Sequence, residues 1–188
     1  DAVAQVGLVP KYVATTPDGQ FVLATNWCSW DLSIVSAETH EPVATVPNLG
    51  RYPRGIVVSP DSRYAYVAVM GESHIAKVDL QSRTIVGTIE VGRGPRHVVL
   101  DPEGRYLYAS LNQLGEVVKV DLTTDQVVAR VPTGAEARSL TISSDGTALY
   151  VVNYESNTVT ALRAADLGVL QTIETGVHPI FITYAAAT

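Results

Sequence analysis

The sequence predicts an all-β fold, a β-propeller built of four-stranded antiparallel blades, and three observations predict it. One pattern occurs four times at intervals of 42 or 43 residues, the period of a propeller blade. Each copy divides into four short apolar runs with the period-two alternation of half-buried strands. Turn residues separate the runs, and a single such sheet buries both faces only when neighbouring sheets pack radially against it.

Taken in order, residues 2–6 (Ala-Val-Ala-Gln-Val) precede a glycine as the segments before Gly92 and Gly176 do, so the chain is expected to open on an outermost strand. The first full repeat spans about 9–51, with Thr-Pro-Asp-Gly at 16–19 as its first hairpin and Asn-Trp-Cys-Ser-Trp at 26–30 after its second strand. The second, 52–93, carries Ser-Pro-Asp-Ser at 59–62 and strands over 64–69 and 75–79. The third, 94–135, is the clearest: runs 96–100 and 106–111 flank Asp-Pro-Glu-Gly at 101–104, where Pro fixes φ and Gly104 supplies the positive φ that closes a hairpin. Its runs 116–121 and 126–131, rich in β-branched residues, are joined by Leu-Thr-Thr-Asp at 122–125. The fourth, 136–177, holds Ser-Ser-Asp-Gly at 143–146, and residues 178–184 match the first strand of a further blade. Residues 1–188 are therefore expected to form one propeller domain of four full repeats plus partial blades at both ends. Ring closure then needs missing blades or self-association.

Composition narrows the function classes. With 46% hydrophobic and 17% charged residues the chain falls among globular proteins. No apolar run approaches the roughly 20 residues that span a bilayer, so membrane insertion is not expected. A net charge of −6 counts against broad attraction to nucleic acid, though a local patch remains compatible with it. Cys28 is alone, so it reads as a small buried apolar residue.

At Tyr-Val-Val-Asn (150–153), with Ile-Ser-Ser-Asp-Gly before it and Asn-Thr-Val-Thr (157–160) after it, the chain resembles the YVTN-type β-propeller repeat family. The Pro-Asp-Gly-like hairpin, the Tyr-Val strand and the closing Val-Xxx-Gly extend the resemblance over nearly every residue. It implies a seven-bladed propeller, of which this chain holds four full repeats, and an extracytoplasmic location. It is weak for activity.

The sharpest functional signal is a recurring cation. Lys11, Arg54, Arg96 and Arg138 stand 42 or 43 residues apart, just inside the innermost strand of each repeat. Propeller geometry places them on the rim that also carries the loops between second and third strands, near the channel mouth. Two like charges about 10 Å apart repel by about 0.4 kcal/mol in water and about 1.7 at an effective dielectric near 20, so a ring of four needs compensation. Glu72, Glu136 and Glu155 supply it on one reading, as ordinary ion pairs. On the other, the ring holds a carboxylate or phosphate ligand or an acidic protein segment.

Asn26, Trp27, Trp30, Met70, Asn112, Asn153 and Tyr154 fall on the same rim, where they either contact a ligand or cap the gaps between blades. His74, His97 and His178 share no repeat position, which argues against a metal site. No nucleophile elbow, zinc-binding helix motif, phosphate loop or paired cysteines appear, so no catalytic residue, metal or cofactor is assigned. Asp79 and Asp121, at strand ends, read as turn caps. The expected function is a non-enzymatic ligand- or protein-binding scaffold with a basic rim. The alternatives are a lactonase-like hydrolase, which this fold also resembles, and single-stranded nucleic-acid binding through the cations with Trp27 and Tyr154.

Overall fold

The computed structural model describes residues 3–185 and contains sixteen strands among them, in four four-stranded antiparallel sheets. Blade 1 is β1 (Pro10–Thr15), β2 (Phe21–Asn26), β3 (Asp31–Ser36) and β4 (Pro42–Val46), and blade 2 is β5 (Pro53–Val58), β6 (Tyr64–Val69), β7 (His74–Asp79) and β8 (Thr84–Glu90). Blade 3 is β9 (Pro95–Leu100), β10 (Tyr106–Leu111), β11 (Glu116–Asp121) and β12 (Gln126–Pro132), and blade 4 is β13 (Ala137–Ile142), β14 (Ala148–Asn153), β15 (Thr158–Arg163) and β16 (Val169–Glu174). Every sheet keeps its strands in chain order, as hairpin-to-hairpin connection requires. These are propeller blades, and they fall into two compact units, Asp1–Ile89 with the first two and Glu90–Thr188 with the last two.

Short hairpins explain why the strands begin where they do. Thr16, Ser59 and Ser143 each donate a hydroxyl hydrogen bond of 2.5 Å to the aspartate two residues on, Asp18, Asp61 and Asp145. The same aspartates accept backbone N–H groups of Gln20, Arg63 and Thr147, closing the turn before the second strand. Hydroxyl and amide donors hold all three carboxyls below their ordinary value. In blade 3 a buried Asp101 replaces the hydroxyl residue and itself accepts the N–H groups of Arg105 and Tyr106, at 2.7 and 2.8 Å. Gly104 holds φ 68° as the turn demands, and Ser62 reaches φ 60° without being glycine. Asp79 and Asp121 cap their turns, accepting the N–H groups of Gln81 and Ser82 and of Thr123.

Between blades of one unit, apolar packing and a repeated buried hydrogen bond do the joining. In the N-terminal unit Leu23, Leu32, Ile34, Ile56 and Val67 share one core, and Thr25 donates its hydroxyl to the Arg54 carbonyl at 2.7 Å. In the C-terminal unit Tyr108, Val117, Leu140, Leu149 and Leu162 share another, and Ser110, at the position of Thr25 in its blade, donates to the Arg138 carbonyl at 2.6 Å. The first blades of the two units differ at the fourth residue of the third strand. Ile34 of β3 is core, whereas its counterpart Lys119 of β11 is a buried cation that donates to the Ala164 and Ala165 carbonyls at 3.1 and 2.8 Å and lies 3.9 Å from the Tyr106 ring centre. Burial pushes the Lys119 ammonium below its ordinary value and the Tyr108 hydroxyl above its own.

The expected terminal strands are not formed: among the described residues, neither 3–6 nor 175–185 belongs to a strand. A strand without a ladder partner has nowhere to place its backbone hydrogen bonds. The final segment nonetheless keeps the spacing of a blade. Tyr184 donates its N–H to Thr141 43 residues earlier, just as Leu140 of blade 4 donates to His97 of blade 3.

Candidate functional site

One backbone device builds the rim in every blade. The residue immediately before each innermost strand has positive φ: Val9 (57°), Tyr52 (61°), Gly94 (74°) and Glu136 (55°), and His178 (54°) continues the series. Its carbonyl accepts the N–H of the residue that follows the second strand of its blade. The four bonds run from Trp27 to Val9, Met70 to Tyr52, Asn112 to Gly94 and Tyr154 to Glu136, at 2.8 to 3.1 Å. A left-handed non-glycine residue costs about 1 kcal/mol or more, so a conformation repeated this often is held by that bond and by the packing around it. Two residues further on stands the recurring cation, on the same rim as the loop after the second strand.

In the N-terminal unit, the cations converge on an indole. Lys11 Nζ lies 5.5 Å and Arg54 Cζ 5.6 Å from the Trp27 ring centre, and Tyr52 stacks on the same ring at 4.7 Å with 22° between planes. Glu72, expected to neutralise a rim cation, pairs instead with Arg51 at 3.0 Å, and hydrogen bonds from Arg51 hold its carboxyl below the ordinary value.

In the C-terminal unit, the cation is matched. Arg138 sits 3.2 Å above the Tyr154 ring centre and donates to Glu136 Oε2 through Nη2 at 2.9 Å. Hydrogen bonding from Arg138, with its charge, lowers the Glu136 carboxyl, and the Asn112 amide and the Arg96 charge act in the same direction. The other side of Tyr154 is stacked by His178 at 4.3 Å and 11°, since a ring that close and parallel leaves no room beside the guanidinium. Glu155 lies 3.8 Å from His178 Nε2. Of the three glutamates expected to compensate the cations, Glu136 pairs with Arg138 of the series.

Asn26 and Asn153 are brought to the strand ends but not to the surface; both are fully buried. Each terminates the second strand of its blade and points its amide at the third. Asn26 donates to Asp31 and Ser33, and Asn153 to Thr158, Thr160 and the Thr133 carbonyl. A Cβ at Gly7 or Gly134 would come within 2.7 or 2.8 Å of these asparagines, so glycine is needed where the incoming chain crosses them. Their amide N–H groups tie the end of the second strand to the third. Asn112 is nearly buried and lies beside Glu136, with Met70 and Trp30 in the corresponding loops. Cys28, expected inside, is exposed, in the loop after the second strand of blade 1. Sequence reading passed over Tyr52 as a site residue and took His178 for the head of a strand. The signal that marks both is their place two residues before the recurring Arg54 and its counterpart Ile180.

A sequence profile of the Cytochrome D1 heme domain matches residues 97–179, less than half of the chain. No curated protein matches in sequence. Among solved structures, a hydrazine synthase chain of Kuenenia stuttgartiensis is 20% identical with TM-score 0.64, over 93% of this chain and 77% of that one. A functionally unknown protein of Desulfotomaculum acetoxidans DSM 771 is 16% identical with TM-score 0.82, over 94% of this chain and 60% of that one. At these identities the likeness is one of fold, and it agrees with the blades described above in making the chain β-propeller in architecture.

Proposed function

We propose that this chain is part of a non-enzymatic β-propeller scaffold that binds an anionic group at its rim, in the YVTN-type manner of an exported seven-bladed protein. The observation that carries the reading is the convergence of Lys11 and Arg54 on Trp27, in a unit whose nearby glutamate is already paired with Arg51. A carboxylate or phosphate beside the indole meets two cations there, and charge-assisted hydrogen bonds are among the stronger polar contacts available. Arg138 contributes less, because Glu136 already neutralises it.

The experiment is calorimetric titration with pyrophosphate at low salt. Lys11→Gln and Arg54→Gln are each expected to weaken binding about tenfold, the effect of roughly 1.4 kcal/mol. Arg138→Gln should change it less than about twofold, and equal losses in all three would return the site to a symmetric ring. Single-stranded nucleic acid is the second reading, favoured by the Trp27–Tyr52 stack. Binding of an oligothymidylate that does not fall steeply with salt removes it.

The name of the family profile raises haem as a ligand of the C-terminal unit. The rim cleft there, about 600 Å³, is lined by residues including Asn112, Gln113, Leu114, Pro132 and Glu136, with no His, Cys, Met or Tyr to serve as an axial ligand. His97 Nδ1 is already the acceptor for the Leu140 N–H at 3.0 Å. These residues do not fit the group. A hydrolase built on a bound metal would need ligands that converge, and no group of three or more His, Cys, Asp or Glu does so among the described residues.

A further inference from the structure

Resting on that anion-binding reading, we infer that the N-terminal rim docks a segment of another protein, an acidic stretch with an apolar anchor, and that Leu8, Val9 and Trp30 receive the anchor. Segment 7–9 and the loop 26–30 are tied together. Leu8 donates its N–H to Ser29 Oγ at 2.9 Å, and the Leu8 and Val9 carbonyls accept the N–H groups of Cys28 and Trp27 at 3.1 and 2.9 Å. On this fixed backbone Leu8, Val9 and Trp30 remain 67%, 47% and 45% exposed. An anchor that lands there buries apolar surface without first ordering a loop.

Their exposure belongs to the rim. The residue two places before the innermost strand is exposed in all four blades, as Leu8, Arg51, Arg93 and Ala135, so blade 1 puts a leucine where the next two blades put arginine. Backbone strain marks the same loops. Val9 has φ 57° where blade 3 has Gly94 at 74°, and Trp30, just before the third strand, has φ 59° where blades 3 and 4 have Gly115 at 66° and Asn157 at 55°. Glycine and asparagine suit the left-handed region, whereas a β-branched or indole side chain does not. Strain and exposure of bulky apolar residues both cost stability, and they coincide here where other blades use residues suited to the turn.

Charge selects an acidic partner. Lys11 is exposed, with Nζ 5.5 Å from the ring centre of Trp27, which lies in the same loop as Trp30, and Tyr52 of the next blade stacks on that indole. Aromatic residues are favoured at protein interfaces, and a basic one steers an acidic partner. A bilayer fits less well, because a net charge of −6 is repelled by an anionic membrane surface.

The test titrates two peptides of equal charge into the unmodified chain by calorimetry at low salt, acetyl-Glu-Glu-Leu-Leu-Glu-Glu-amide and acetyl-Glu-Glu-Ser-Ser-Glu-Glu-amide, with pyrophosphate alongside. The leucine peptide should bind about tenfold more tightly, a gain within reach of burying one leucine side chain. Leu8→Ser and Trp30→Asn should each cut that preference to less than about threefold and leave pyrophosphate affinity unchanged. Asparagine suits the φ of 59° at position 30, so the denaturation midpoint of Trp30→Asn should not fall, which separates a docking role from a merely structural one. Where pyrophosphate binds but neither peptide does, or the two peptides bind equally, or the preference survives both substitutions, the docking inference is overturned and the anion site stands. Binding to phosphatidylserine–phosphatidylcholine vesicles that Leu8→Ser abolishes, without a preference between the peptides, assigns the surface to lipid and also overturns it. Failure of pyrophosphate and both peptides to bind removes the anion-binding reading and this inference together.

Discussion

The two units place a cation over an aromatic ring with the same backbone device but set different side chains around it. In the N-terminal unit the positive-φ residue is Tyr52, which stacks on Trp27 and leaves Lys11 and Arg54 beside it. In the C-terminal unit it is Glu136, whose carboxylate takes the charge of Arg138 at 2.9 Å. The difference teaches that the recurring cation does not by itself make a site. The residue two places before it differs between the units, an aromatic ring in one and a carboxylate in the other.

The same contrast runs into the packing, and the largest expected effects lie there. Ile34→Lys should cost about 3–5 kcal/mol, because it puts a charge in place of a fully buried core side chain. Lys119→Ile should cost less than about 1.5 kcal/mol, since losing its hydrogen bonds is offset by no longer burying a charge. Denaturant midpoints measure both, and equal costs would show that the two positions are interchangeable after all.

The hairpins sharpen the comparison at a smaller scale. Gly104→Val in the C-terminal unit should lose about 1 kcal/mol or more at its φ of 68°. Ser62→Gly in the N-terminal unit should fall within about 0.5 kcal/mol of neutral, relief at φ 60° being offset by loss of the hydroxyl that accepts the Asp18 N–H. An unchanged midpoint in Gly104→Val would mean that this turn relaxes without strain.

At the rim itself, stability effects should be slight even where binding effects are large. Glu136→Gln should lower stability by less than about 1 kcal/mol, as expected for a partly exposed pair. It should also strengthen pyrophosphate binding in the C-terminal unit by releasing Arg138, and an unchanged affinity would break the contrast between the rims. The smallest effect concerns acid. The carboxyls of Asp18, Asp61 and Asp145 are held below their ordinary 3.8 by hydroxyl and backbone donors, so their stabilisation is present above 3.8 and is lost as pH falls through the lowered folded values. Carboxyl resonances in a pH titration should show all three midpoints below 3.8. Thr16→Val should move Asp18 upward and leave Asp145 unmoved.

The local elements were written in the sequence, because strands and two-residue-scale turns depend on neighbours in the chain. Period-two alternation and the recurring Pro-Asp-Gly-like hairpins marked four repeats of four strands, and Gly104 announced its positive φ. The 42- or 43-residue period also placed Lys11, Arg54, Arg96 and Arg138 at equivalent positions. What each cation meets was decided only by tertiary structure, since the partner lies far along the chain. The order in which Arg51 rather than Arg54 takes Glu72, or Tyr52 rather than solvent covers Trp27, depends on distances of a few ångströms across folded loops. The same holds for Asn26 and Asn153, which read as rim residues but turn inward because the third strand offers their amides partners that the alternation pattern cannot show. Residues 175–185 mark the limit from the other side: the sequence repeats the strand pattern there, yet a ladder forms only where a second strand lies alongside to accept its hydrogen bonds.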